Sequence, residues 1–160
     1  MSLFNRRIFL ILPLALAACG FEPVYGTGGT GTALQNRVLV DAPVDRNAYL
    51  ATQRIEERIG RGDNAAYTLA LKITSSNQGL AIDAAGTTTR YNLVGQADYV
   101  LKDTATGQVV TSGKVNNFTG YSATSSTVSA LAAERDAQRR LMIILADQIV
   151  ARLLATAPVT

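Results

Sequence analysis

The chain has 160 residues, 48% of them hydrophobic and 17% charged, with one cysteine, no histidine and a formal net charge of +3. The missing histidine excludes Ser-His-Asp and Cys-His catalysis and histidine-bearing zinc sites, and a lone cysteine cannot build an all-thiolate metal site. With a charge this small a nucleic-acid role loses its electrostatic argument, and the length suits one domain that buries a core without disulfide or metal.

At the start, Arg6 and Arg7 form a short basic region and Ile8 to Ala17 an almost unbroken apolar run interrupted by Pro13. A bilayer span takes roughly 20 apolar residues, so residues 1–18 read as an export signal that is cut off. Leu16-Ala17-Ala18-Cys19 resembles the bacterial lipobox, which implies a diacylglyceryl thioether and an N-acyl chain on Cys19 and no other cofactor. Gly20 in place of Asp after that cysteine implies sorting to the outer membrane, by resemblance to other lipoproteins. Removing the signal takes Arg6 and Arg7 but no acid, leaving a net charge of +1.

Residues 19–35 are expected to form a lipidated tether, because Gly26 to Thr32 contains only Gly and Thr. No Gly-Lys-Ser/Thr follows and no strand precedes, so this is not a phosphate-binding loop. Arg37 to Val40 reads as a short strand ended by Asp41-Ala42-Pro43. Asn47 to Gly60 has helical spacing, with Ala48, Ala51, Thr52, Ile55 and Ile59 on one side, Asp45 to cap its start and Gly60 or Gly62 to end it.

Strict alternation follows, with Tyr67, Leu69, Leu71 and Ile73 pointing one way and Thr68, Ala70, Lys72 and Thr74 the other. Asn77 to Gly86 reads as a connector whose Leu80-Ala81-Ile82 can lengthen that strand. From Thr89 to Leu101 the alternation resumes, with Tyr91, Leu93, Ala97, Tyr99 and Leu101 inward. Asp103 to Gly107 is a turn, and Gln108 to Phe118 returns as the antiparallel partner. Gly120 to Ser126 is a polar loop before a helix from about Val128 to Ala155, whose Leu141, Leu145, Ile149 and Leu153 recur every four residues. The wide apolar girth of that helix either packs entirely on the sheet or leaves part for a partner protein.

The order β-α-β-β-β-α predicts an α+β domain over residues 36–156, a four-stranded mixed or antiparallel sheet with two helices on one face. Asp41, Asp45, Asp63, Asp83, Asp98 and Asp103 fall at strand ends, turns or the wet face, where caps and solvated charges are expected, so the chain is read as a non-enzyme.

Several segments together resemble the LPS-assembly lipoproteins of the LptE type, in their alphaproteobacterial branch. They are Cys19-Gly20-Phe21-Glu22-Pro23-Val24-Tyr25-Gly26, Thr89-Arg90-Tyr91-Asn92-Leu93, Ala97-Asp98-Tyr99-Val100-Leu101, Thr106-Gly107, Ser112-Gly113 and Ala132-Ala133-Glu134-Arg135-Asp136-Ala137. The resemblance implies an outer-membrane lipoprotein on the periplasmic side that plugs the LPS-translocon β-barrel, helps it assemble and contacts lipopolysaccharide. Arg90, Lys102 and Lys114, then Arg135, Arg139 and Arg140, are the candidates for meeting lipid A phosphates. Two other readings fit the same residues: an adaptor of another envelope transport or secretion system, and a free-standing periplasmic binder of lipid or glycan.

Overall fold

The structure is a computed structural model that describes residues 26, 29–124 and 126–156. Helix α1 (Thr30–Leu34) leads into strand β1 (Val38–Val40), helix α2 (Arg46–Ile59), three long strands β2 (Tyr67–Ile82), β3 (Thr88–Asp103) and β4 (Val109–Ser122), and helix α3 (Thr127–Thr156). The sheet order is β1-β2-β3-β4, with β1 parallel to β2 and the other neighbours antiparallel. This is the mixed α+β sheet the periodicity predicts, with α2 and α3 on one face. Cys19 and residues 1–18 lie outside the described residues.

Each element forms for a local reason and is held by burial. In β3 the odd-numbered Leu93, Ala97, Tyr99 and Leu101 are buried while their even-numbered neighbours stay half-buried or exposed, the two-residue period of a strand with one covered face. Helix α2 buries Ala48, Ala51, Thr52, Ile55 and Ile59, the stripe its spacing predicts. At its start the Asp45 carboxylate accepts a 2.7 Å hydrogen bond from the Ala48 amide. Asp45→Ala should therefore cost about 0.5–2 kcal/mol and lower the thermal unfolding midpoint; an unchanged midpoint would contradict the cap. Its other end is closed by Gly60, at φ +77°, where a Cβ would fall 1.9 Å from Asn36 Oδ1. Only glycine fits there.

The structure departs from expectation in two places and lengthens one strand where the sequence allowed it. A third helix, α1, occupies part of the Gly/Thr stretch expected to be tether, because Leu34 turns inward and is fully buried in the core. Strand β2 runs through Leu80-Ala81-Ile82, as the apolar trio allowed, since β3 is long enough to pair with it up to Thr88. Strand β4 takes Gly120 to Ser122 from the expected loop, because Arg90, Tyr91 and Asn92 pair with them.

Helix α3 supplies more of the core than any other element: Ala137, Leu141, Met142, Leu145, Ala146, Ile149, Val150 and Leu153 are buried. The wide apolar girth of its second half is thus mainly core, whereas Val128 and Leu131 near its start are exposed. A fork of hydrogen bonds from Arg54 Nε and Nη2 to Asp147, 3.0 and 3.2 Å long, joins α2 to α3. It holds the Arg54 pKa above its ordinary value, the Asp147 bond contributing most and the Glu57 bond next.

Strands β2 and β3 each have 16 residues, a reach of roughly 50 Å at 3.3 Å per residue. Helix α2 has 14, about 21 Å, so it covers only the end of the sheet near the β3–β4 turn. The far end of β2, from Thr74 to Ile82, is exposed.

Candidate interaction surface

Among the described residues, the helices leave the opposite face of the sheet bare. Its residues follow from register: Lys72, Asp98 and Lys114 form one row across β2, β3 and β4, Thr74, Gln96 and Asn116 the next, then Ser76, Val94 and Phe118, then Gln78, Asn92 and Gly120. Rows on one face are about 7 Å apart along the strands and neighbouring strands about 4.8 Å apart. Asp98 is the acid of the first row. Lys114 Nζ lies 3.3 Å from Asp98 Oδ1, and Gln96 Nε2 donates to Asp98 Oδ2 over 3.1 Å. Such a half-exposed pair is worth little in stability, at most about 1 kcal/mol. Its effect is to offset one of the two lysine charges in this row.

The six basic residues singled out from the sequence do not form one patch. Lys114 belongs to the Asp98 row, and Lys102 stands exposed on the same face in register with Thr68 and Val109. Arg90 is exposed on this face at the far end of β3, 12 residues from Lys102, roughly 40 Å away. Arg135, Arg139 and Arg140 belong to the helix layer. Arg140 is held by Asp136 and donates to the Gly120 carbonyl at 3.1 Å, while Arg139 lines a cleft between α2 and α3 with Leu50, Gln53, Arg54, Glu57 and Ile143.

Two members of the bare face were not singled out from the sequence. Alternation placed Lys72 on the wet side, but only register sets it opposite Asp98. Phe118 was expected merely to end a strand, and it is 59% exposed in the middle of the face. On the covered side of the same end, Tyr91 and Tyr121 stack with centroids 5.3 Å apart. Desolvation, aided by the nearby Glu134 carboxylate, pushes the Tyr121 hydroxyl pKa up.

The two-layer α+β fold, with helices on one face of a four-stranded sheet, is shared with solved structures of proteins named as lipoproteins. A protein from Caulobacter crescentus CB15 assigned as a lipoprotein is 25% identical, with a TM-score of 0.68 over 79% of this chain and 93% of that one. The rare lipoprotein B of Shewanella oneidensis has the same fold at 14% identity, TM-score 0.59, covering 75% and 93% of the two chains. A minor lipoprotein of Acinetobacter baumannii follows at 19% identity, TM-score 0.55, with 74% and 89% covered. No curated protein sequence matches this chain. The model of the lipopolysaccharide-assembly family LptE matches residues 32–153, and the chain belongs to that family.

Proposed function

We propose that the protein is an outer-membrane lipoprotein, anchored on the periplasmic side through acyl chains on Cys19, that plugs the LPS-translocon β-barrel and helps it assemble. It acts by fitting a partner and not by catalysis, and it aids lipopolysaccharide on its way to the outer leaflet. The observation that carries this reading is the family match, which spans nearly the whole described domain from α1 to α3. The bare face supports it physically: hydroxyls, amides and paired charges can exchange hydrogen bonds with the wet lumen of a barrel. Lys102 and Lys114 on that face, with Arg90 at its far end, are the cations we assign to meeting phosphate there; Arg135, Arg139 and Arg140 would reach it only from the helix side.

Affinity-tagged protein drawn from gently solubilised outer membrane should bring down the translocon barrel. Recovery of an inner-membrane transporter in its place would favour an adaptor of another envelope system and overturn the proposal.

A further inference from the structure

We propose that the free edge of β4, from Ser112 to Asn116, receives an extended segment of a protein partner as a further strand, with an acidic side chain of that segment set against Arg152. This edge is the rim of the sheet and not its bare face, and its role is independent of the plug reading.

Strand β4 ends the sheet order opposite β1, and no described strand pairs with its outer side. The phase of the ladder fixes which of its backbone groups point outward. Ala123 N–H donates to the Thr89 carbonyl over 2.8 Å, and alternate pairs of an antiparallel ladder exchange such bonds. In the register of β4 on β3, the odd-numbered residues from Thr111 to Tyr121 therefore bond to β3, and the even-numbered ones turn N–H and C=O to the rim. The chain itself blocks two of these outward groups. Phe118 N–H donates to Asn117 Oδ1 at 2.8 Å, and the Gly120 carbonyl accepts from Arg140 Nη2 at 3.1 Å. Among the described residues, Ser112, Lys114 and Asn116 carry no such cap.

The geometry of this stretch selects its occupant. Its donor and acceptor pairs recur every second residue, about 7 Å apart, a spacing that another extended backbone matches and that sugars, lipid tails and phosphates do not. Strand addition draws affinity from main-chain hydrogen bonds and specificity from alternate side chains. Beside the rim a groove of about 270 Å³ runs between β4 and α3, lined by Val115, Asn116, Gln148, Ala151 and Arg152. The small Ala151 leaves room there for side chains of an added strand. Arg152 is exposed and has no ion-pair partner among the described residues, so an acid on the incoming strand meets a free charge. A second copy of this chain fits less well. Strand β4 contains no Asp or Glu, and pairing two copies over Ser112 to Asn116 would oppose Lys114 to Lys114, which is destabilising.

The test follows backbone amide exchange by NMR in the mature lipidated chain in detergent, with and without a short capped peptide. The peptide carries valine, glutamate and valine on one side and threonine on the other. The Ser112, Lys114 and Asn116 amides should exchange fast in the free chain and slow saturably with peptide, while Phe118, already capped, should not change. Asn116→Pro removes an outward N–H and no bond to β3, a position where an edge strand tolerates proline; it should abolish the slowing with the fold retained. Arg152→Glu should weaken peptide binding about two- to fivefold, and a peptide with lysine in place of glutamate should restore it. These two decide the matter if Asn116→Pro does not fold. Amides already slow in the free chain would show an edge covered by the chain's own residues, and slowing on concentration without peptide would assign it to a second copy. Either result, no slowing with peptide, slowing that survives Asn116→Pro, or normal binding by Arg152→Glu would overturn the proposal. Loss of the barrel on pull-down with peptide binding intact would refute the plug role and leave strand addition standing, so the two failures are distinct.

Discussion

Leu141→Ala is expected to destabilise the domain by about 2–5 kcal/mol, and Gly95→Ala by about 1–3 kcal/mol. Their combination should fall short of the sum by about 0.5–3 kcal/mol, the range for residues in contact. Leu141 is fully buried on α3, facing the sheet at Gly95. A Cβ added at Gly95 would lie 2.8 Å from Leu141 Cδ2 and 3.2 Å from Leu145 Cδ1. The helix approaches this strand closely because β3 has no side chain there. Truncating Leu141 leaves a void over a bare stretch of backbone that is hydrogen-bonded to β2 on one side and β4 on the other, so the site collapses poorly. The methyl group introduced by Gly95→Ala would fill part of that void, and hence the two losses do not add. Equilibrium urea unfolding of the wild type, both single variants and the double variant measures the coupling; strict additivity would refute direct packing of α3 on Gly95.

The second large effect concerns the anchor. Each buried methylene contributes about 0.8 kcal/mol, and a single myristoyl chain holds only reversibly, so the two or three chains proposed for Cys19 would form a durable tether. Among the described residues no helix is long and apolar enough to cross a membrane. Expressed without the translocon barrel, a chain exported behind an ordinary cleavable signal and carrying Cys19→Ala should move from the membrane to the soluble fraction, while the native chain stays bound. Intact mass spectrometry of the native protein should show the thioether and acyl chains. A free sulfhydryl at position 19, or a variant that stays in the membrane, would refute the anchor.

Much of the architecture was legible because periodicity is a local property. Tyr67 to Ile73 and Thr89 to Leu101 alternate, and burying one side of each leaves a single covered face. The 3.6-residue spacing from Ala48 to Ile59 and the Asp45 cap together account for α2. Composition misled where a single residue outweighs its neighbours: α1 forms in a Gly/Thr stretch because Leu34 finds a place in the core. The Leu80-Ala81-Ile82 trio has no alternation to mark it, and it becomes strand only because β3 is there to pair with it.

The interaction surface was less legible, because it depends on register and on layers. Lys114 and Asp98 are 16 positions apart and meet through strand pairing. Arg54 and Asp147 are 93 positions apart and meet through the packing of two helices. The six cations chosen from the sequence were separated by the fold, three on the bare face and three in the helix layer.

What the sequence determined unaided was the number and kind of the main elements, the α+β class, the family resemblance and the expectation of a lipid anchor, all of which reside in short-range pattern. Only the tertiary structure decided which polar residues share a row, that Phe118 stands exposed among amides, and that the cations are dispersed. Those relations arise when distant strands align, and a shift of one residue in that alignment would turn every side chain to the opposite face.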